Sequence, residues 1–122
     1  YSELNVMGYV STVAAYRNGG EWYEAMHEYI RKNAEYVKEF VDANLPKIRM
    51  INHEATYLVW LDFRKTGLSV DELDNKIIYQ SRLWLDSGKI FGKSGEGFQR
   101  INVACPRKIL EEAMKRLKEV FG

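Results

Sequence analysis

The segment from residue 88 to 117, GKIFGKSGEGFQRINVACPRKILEEAMKRL, constrains the fold of this chain more than any other. It reads as a glycine-rich loop, a short apolar strand with one arginine, a turn, and an amphipathic helix. Side chains alternate across a strand, so Ile101 and Val103 are predicted to face the core and Arg100 the opposite side. The strand is therefore predicted to hold Arg100 on a rigid backbone, directed away from the core.

Arg100 is the candidate binding residue, and two interpretations of it are open. A guanidinium on a rigid strand presents a planar pair of donors that suits a carboxylate or a phosphate. Exposed strand arginines are also common, and many pair with a structural Asp or Glu. The residues by themselves favour neither interpretation.

The composition is typical of a soluble globular protein with one domain. The chain has 122 residues, of which 46% are hydrophobic and 29% charged. Its 18 basic and 17 acidic residues create no large field for nucleic acid or an anionic membrane. No apolar run approaches the roughly 20 residues that span a bilayer. We therefore expect no nucleic acid and no membrane as partners.

Hydrophobic periodicity predicts the element order α–α–β–β–α–β–β–α. Strands that follow one another without strict alternation with helices favour the α+β class, here a two-layer sandwich. In it, helices cover a small antiparallel or mixed sheet. Asn18-Gly19-Gly20 interrupts the first helical pattern, so a leading segment, residues 1–18, is predicted to precede a domain of residues 19–122. The predicted helices are 3–16, 21–45, 70–78 and 106–120, and the predicted strands are 47–51, 56–62, 83–85 and 98–104.

Apolar spacing also predicts which residues the helices bury. The second helix should bury one stripe, and the last helix, with Pro106 at its first position, should bury another. The stripe of the second helix is Trp22, Met26, Tyr29, Ile30, Val37, Phe40 and Val41. That of the last helix is Ile109, Leu110, Ala113, Met114, Leu117 and Val120.

Aromatic residues are numerous, 16 of 122, and include eight tyrosines. They cannot all fit one small core, because each buries about 150–250 Å². We expect some in an exposed apolar patch, which is typical of an interface, although scattered surface tyrosines are the simpler alternative. The tyrosines concerned are Tyr9, Tyr16, Tyr23, Tyr36 and Tyr57.

The loop sequence Gly92-Lys93-Ser94 resembles the end of a phosphate-binding loop but lacks the required earlier glycine. It also leads into a strand, whereas a phosphate-binding loop leads into a helix. A plain flexible loop is the better interpretation, and Lys89 and Lys93 are expected to be solvated.

Other reactive residues give little evidence of a catalytic or metal site. Cys105 precedes a helix, a position that can lower a thiol pKa, but a small buried residue is the simpler interpretation. As the only cysteine it excludes an internal disulfide, which agrees with a reducing cytosol and predicts a cytoplasmic location. His27 and His53 are far apart in sequence, and His53 is expected in a solvated turn. We therefore expect no metal site and assign no catalytic residue.

Several segments together resemble the C-terminal portion of class I/II aminotransferase-like enzymes. Among these the carbon–sulfur lyases of the cystathionine beta-lyase, or cystalysin-like, type are the most similar. The segments are AAYRNGGEWYEAMHEYIRKNAEYVKEF, LPKIR, HEATYLVWLDFR, GLS and GKIFGKSGEGFQRINVACPRKILEEAMKRL. The resemblance covers nearly the whole chain in the same order, and TYLVWLDFR and GEGFQRINVACPR are its most specific parts.

This resemblance implies the small C-terminal domain of a longer enzyme that uses pyridoxal 5'-phosphate. Residues 1–18 would then be a helical remnant of the large domain, and the start at Tyr1 fits such a piece. In the resembled family the arginine of the matching strand binds the α-carboxylate of an amino-acid substrate, a role that would fall to Arg100. The resemblance also implies a homodimer for the full-length enzyme.

The same resemblance implies that the cofactor-binding residues lie outside this chain. The family needs a lysine that bonds to the cofactor, and no lysine here lies in a matching context, so none is assigned. We expect the isolated chain to hold no cofactor and to be inactive. A stand-alone, non-enzymatic interaction or regulatory domain is the alternative, and the choice between lyase and aminotransferase is open.

Overall fold

The structure is a computed structural model that describes residues 5–122. The predicted helix positions Glu3 and Leu4 lie outside the described residues. Two short helical turns, Gly88–Phe91 and Lys93–Gly95, lie in the glycine-rich loop. The helices are α1 (Val6–Asn18), α2 (Gly20–Asn44), α3 (Val70–Asn75) and α4 (Arg107–Phe121), and the strands are β1 (Arg49–Met50), β2 (Leu58–Asp62), β3 (Asp86–Ser87) and β4 (Phe98–Asn102).

The four strands form one antiparallel sheet in the order β1-β2-β4-β3. Its two faces differ because side chains alternate along each strand. Val59, Leu61 and Ile101 are buried on one face. Trp60 and Arg100, which are directly opposite each other across β2 and β4, lie on the other. The predicted α+β class and two-layer arrangement are confirmed, and the sheet is wholly antiparallel.

Helices α2 and α4 cover the buried face of the sheet. In α2 the buried side chains are spaced as one helical stripe, and α4 repeats the pattern. A capping box starts α3. Glu72 N–H donates to Ser69 Oγ (3.4 Å), and Ser69 N–H donates to Glu72 Oε2 (2.9 Å). The core combines Ala34, Val37 and Val41 of α2, Leu110, Met114 and Leu117 of α4, and Val59, Leu61 and Ile101 of the sheet.

Three predicted core residues are exposed instead. Trp22 and Tyr29 lie in the first half of α2, where their side chains are 70% and 46% exposed. The hydroxyl of Tyr29 still contacts the start of α4, because it accepts from the Arg107 N–H (2.7 Å). Ile109 is 60% exposed, because the helical positions that face the sheet are those of Leu110 and Met114. A helical repeat identifies an apolar side of a helix but not how far along it the neighbouring layer extends.

Some predicted element boundaries are also wrong. Pro106 precedes α4 rather than starting it, because its ψ of 136° is extended and its carbonyl accepts from Ile109 N–H. The strand predicted at 83–85 lies at Asp86–Ser87, and α3 passes into a wider helical turn, Lys76–Gln80, at its C-terminal end.

One buried amide connects α2 to the end of β4. Asn33 is fully buried, and its Nδ2 donates to the carbonyl oxygens of Val103 (2.8 Å) and Cys105 (2.9 Å). These carbonyls follow the last paired residue of β4, so the amide replaces the missing strand partner. Asn33 thus fixes how β4 leaves the sheet toward α4.

We predict that Asn33→Ala lowers the free energy of unfolding by about 2 kcal/mol, because two buried carbonyls lose their donor. Denaturant unfolding followed by circular dichroism measures this. Asn75→Ala, on an exposed residue at the end of α3, is the control and should change the free energy by less than about 0.5 kcal/mol. Equal losses in the two variants would contradict this role for Asn33.

A second polar anchor lies at the end of β2. Asp62 is buried, and its Oδ1 accepts from the Arg64 backbone N–H (3.0 Å) and from Arg64 Nε (2.9 Å). Its Oδ2 accepts from Arg64 Nη2 (2.8 Å) and Arg49 Nη2 (3.3 Å). Chiefly the side-chain hydrogen bonds from Arg64 lower the pKa of Asp62 to about 2.

This lowered pKa predicts a loss of stability in acid. An unfolded aspartate titrates near pH 4, so the stabilisation is complete above about pH 4 and lost as the pH falls toward 2. We expect Asp62→Asn to remove about 1–2 kcal/mol of unfolding free energy at pH 6, allowing for the exposed arginines, and less at pH 2. Asp42→Asn, in the exposed pair with Lys38, is the control and should show little effect. A pH-independent difference between wild type and Asp62→Asn would exclude the titration of this carboxylate as the cause.

Candidate functional site

Arg100 lies on the sheet face that α2 and α4 do not cover. Its neighbours in β4, Gln99 and Ile101, are buried toward the helices, whereas the Arg100 side chain is 24% exposed on the other side. The prediction that Arg100 points away from the core is confirmed. The side chain is anchored by a central strand and remains open to solvent.

An acidic neighbour holds one edge of the guanidinium. Asp86 is directly opposite Arg100 across β3 and β4, and its Oδ2 accepts from Arg100 Nε (3.1 Å) and Nη2 (2.7 Å). Arg100 therefore also fits the alternative interpretation from the sequence, in which a strand arginine pairs with an acidic residue. Asp86 is 45% exposed and uses one oxygen for both contacts. Among residues 5–122, none accepts from Arg100 Nη1, so the outer end of the guanidinium is available.

An aromatic ring holds the face of the same guanidinium. The central carbon of the Arg100 guanidinium lies 4.5 Å from the centre of the Phe91 ring, a cation–π contact. Phe91 ends the helical turn Gly88–Phe91 of the glycine-rich loop. Asp86 and Phe91 therefore restrict Arg100 from two directions while its outer end stays open.

The loop that carries Phe91 has a more regular backbone than predicted. A Cβ on Gly88 would collide with the carbonyl oxygen of Gly95, and a Cβ on Gly95 with that of Gly88. Both positions require glycine because the two backbone segments are in direct contact. The loop is therefore not a plain one, whereas its flexibility stays a prediction, and it leads into a strand, as predicted.

Lys89 corrects a second expectation about this loop. Its Nζ lies 2.7 Å from Asp74 Oδ2 and 3.5 Å from Asp71 Oδ1, so it is paired rather than freely solvated. The hydrogen bond to Asp74 is the main cause that raises the pKa of Lys89. This pair joins the loop to α3.

A depression of about 260 Å³ opens beside Arg100 and Trp60. Its opposite wall is the segment between β1 and β2. His53 of this segment is half-buried, and its Nε2 is buried without a hydrogen-bond partner among the described residues, so the expectation of a solvated histidine is wrong. The full lining is Ile51, Asn52, His53, Glu54, Ala55, Thr56, Leu58, Trp60 and Arg100.

This arrangement can bind an anion with planar geometry. Asp86 occupies the Nε edge of Arg100, which leaves Nη1 and the second Nη2 hydrogen for an end-on carboxylate. The depression provides room for such a group beside the guanidinium. Asp86 partly neutralises the Arg100 guanidinium, which weakens its attraction for an anion. Because Asp86 occupies one edge, it also fixes the direction from which an anion can bind.

The other reactive residues do not join this site. Cys105 is half-buried against the core rather than buried, and this partial burial raises the pKa of its thiol. Within residues 5–122, no group of three or more His, Cys, Asp or Glu is positioned to hold a metal ion. None of the helices in this part of the chain combines the length and apolar character that crossing a bilayer requires.

Most of the tyrosines expected at the surface are exposed. Tyr9, Tyr16, Tyr23 and Tyr57 each have 46% or more of their surface accessible. Tyr36 differs because it packs against Phe40 and the Arg107 guanidinium. Whether the exposed rings form an interface stays a prediction.

The described residues do not fit pyridoxal 5'-phosphate by themselves. This cofactor needs a lysine amine for its aldehyde and donors for its phosphate. The lining of the depression beside Arg100 includes no lysine, and Lys89 is paired with Asp71 and Asp74 of α3. This face can supply at most one wall of a cofactor-containing site.

Three residues that surround Arg100 were not predicted from the sequence: Asp86, Phe91 and Trp60. The alternation rule that identified Arg100 also identifies Trp60 as a residue of the open face, once β2 and β4 are paired. The pair of Asp86 with Arg100 was not predicted, since the third strand was predicted at 83–85 and Asp86 lies just after it. Phe91 lies in a loop, and periodicity does not predict which way the side chain of a loop residue points.

Comparison with known proteins identifies relatives along nearly the whole chain. Cystathionine beta-lyase PatB of Bacillus subtilis (strain 168) is 36% identical over 119 residues, which are 98% of this chain and 31% of PatB. No protein-family model matches the chain. The chain thus spans about a third of the length of such relatives.

Comparison with solved structures also identifies relatives along nearly the whole chain. A pyridoxal-phosphate-bound protein from Clostridium difficile 630, described provisionally as an aminotransferase, matches all of this chain and 32% of its own length, with a TM-score of 0.94 and 38% identity. Cystalysin from Treponema denticola, which contains pyridoxal 5'-phosphate, matches 97% of this chain and 30% of its own length, with a TM-score of 0.92 and 33% identity.

The resemblance predicted from the sequence is therefore confirmed. The chain is a homologue of one segment, about 30% in length, of the cystathionine beta-lyases and the aminotransferase-like enzymes that bind pyridoxal phosphate.

Proposed function

We propose that this chain is the C-terminal small domain of a pyridoxal-phosphate-dependent enzyme that acts on amino acids. The reaction is a carbon–sulfur β-elimination of the cystathionine beta-lyase kind, with amino-group transfer as the alternative within the same family. Arg100 binds the α-carboxylate of the substrate. The cofactor and its lysine come from the rest of the full-length protein.

The geometry of Arg100 is the observation that carries this proposal. The guanidinium stands on the open face of a central strand, is held by Asp86 and Phe91, and keeps one end free beside a depression. A carboxylate bound end-on there would have its position and plane fixed by two parallel hydrogen bonds. Fixing the carboxylate orients the rest of the amino acid toward the wall that the remaining protein supplies.

The names of the relatives support the reaction class. PatB is a cystathionine beta-lyase, and the structural relatives include cystalysin and a provisionally described aminotransferase. Since the chain covers only about a third of these proteins, the residues that separate elimination from transfer are outside it. The preference for elimination rests on the relatives alone.

Three further features belong to the proposal. Residues 1–18 form the end of the large domain, an assignment supported by α1, in which no residue is buried. The full-length enzyme is a homodimer, and the exposed aromatic rings of α1 and α2 are candidate contacts in it. The enzyme acts in the cytoplasm, which agrees with its single cysteine in this chain.

A stand-alone interaction domain is the second candidate. Its support is the continuous core that α2, α4 and the sheet form within this chain. Such a domain would need no anion on Arg100, and the pair with Asp86 would then be purely structural.

We predict that Arg100→Ala in the full-length enzyme lowers kcat/KM by between several-fold and about a thousand-fold, the range for a lost charged hydrogen-bonded pair. Arg100→Lys should recover only part of the loss, because an ammonium does not reproduce the planar pair of donors. Steady-state kinetics with an S-substituted cysteine measures both variants. Arg116→Ala is a matched control that should leave kcat/KM unchanged, because Arg116 lies on α4, which covers the opposite face of the sheet. Unchanged kinetics in Arg100→Ala would overturn the carboxylate role and leave the pair with Asp86 as purely structural.

We also predict that deleting residues 1–18 from the 122-residue chain changes its free energy of unfolding by less than about 1 kcal/mol. The reason is that α1 contributes no buried side chain to the core. Thermal and denaturant melts of both lengths measure the change. Loss of cooperative unfolding in the shorter chain would contradict the boundary at residue 19.

A further inference from the structure

A row of aromatic rings crosses the open face next to Arg100. Trp60 lies between two phenylalanines, with its ring centre 5.2 Å from that of Phe91 and 6.4 Å from that of Phe98. Both pairs meet edge to face, at 74° and 81°, an arrangement that stabilises aromatic clusters. Such a row presents a broad apolar surface to whatever lies on this face.

The row borders an open, mainly apolar groove of about 380 Å³. The groove begins where the Arg100 depression ends, because Trp60 and Ile51 line both. Phe91 belongs to the groove and also contacts the Arg100 guanidinium at 4.5 Å. The remaining lining residues are Ser94, Gly95 and Phe98.

We propose that this groove is the subsite for the substrate's side chain and that it selects amino acids with an apolar or aromatic substituent. The inference rests on the proposed carboxylate role of Arg100. Phe91 contacts the Arg100 guanidinium at 4.5 Å, and Trp60 borders both the depression and the groove. The substituent of the same molecule can then lie on the aromatic row.

The far end of the groove argues for a neutral substituent rather than a second carboxylate. Arg64 lies there, with its guanidinium carbon 4.6 Å from the centre of the Phe98 ring. Its Nε and Nη2 are both engaged by the buried Asp62. Arg64 keeps a free outer end, as Arg100 does, but its side chain is 58% exposed, against 24% for Arg100. Water therefore screens the charge of Arg64, and an acidic substituent would gain little to offset its loss of water.

The test measures binding without turnover, by isothermal titration calorimetry of the full-length protein with propionate and with 3-phenylpropionate. Both probes carry the carboxylate, and only the second carries the ring. We expect 3-phenylpropionate to bind roughly 10-fold more tightly, the size expected for one partly buried apolar group. Arg100→Ala should weaken both probes by a similar factor.

Variants of the groove separate the subsite from the carboxylate site. Phe91→Ala should reduce the preference for 3-phenylpropionate to about 2-fold, and Phe98→Leu should reduce it by a smaller factor. Ile90→Ala is the matched control, since Ile90 is 64% exposed and adjacent to Phe91 in the chain but does not line the groove. Circular dichroism melts establish that each variant is folded, and Phe98→Leu provides the test if Phe91→Ala does not fold.

Each outcome has a definite meaning. A preference that falls in the groove variants and persists in Ile90→Ala supports the subsite. Equal binding of the two probes, with both weakened by Arg100→Ala, overturns the subsite and leaves the carboxylate role intact. A preference that is unchanged in both groove variants also overturns it. Failure of Arg100→Ala to weaken either probe overturns the carboxylate role and the subsite together.

Discussion

The antiparallel pairing of β2 with β4 is the constraint on which the rest of this structure depends. Its register places Val59 opposite Ile101 and Trp60 opposite Arg100, so consecutive residues alternate between a covered face and an open one. A shift of one residue would bring a guanidinium into the core and a leucine to the open face. The same pairing therefore stabilises the domain and creates the site.

The covered face was largely predictable from the sequence, and the limits of that prediction are physical. Helical spacing identified Val37, Val41, Leu110 and Met114, because a layer that packs on a sheet must be apolar at a fixed period. It failed at Trp22, because periodicity carries no information on where the sheet ends. Exposure of one turn of a helix is set by tertiary contacts, which local sequence does not encode.

The site was predictable only in its central residue. Alternation in one strand placed Arg100 on the open face, whereas its partners come from other elements: Asp86 from an edge strand and Phe91 from a loop turn. Finding them requires the register between strands, which a single sequence leaves undetermined. Comparison with relatives supported the reaction class but left the roles of these side chains to be argued from their contacts.

Strand β3 consists of two residues at the edge of the sheet and pairs with one neighbour only. Short edge strands open locally at a lower free energy than the core around them. When β3 detaches, Asp86 leaves the guanidinium, and Arg100 changes from a neutralised group into an unpaired cation while the helices stay packed. Opening of these two residues would therefore raise the positive charge that an arriving anion meets, and hydrogen exchange at β3 would follow it.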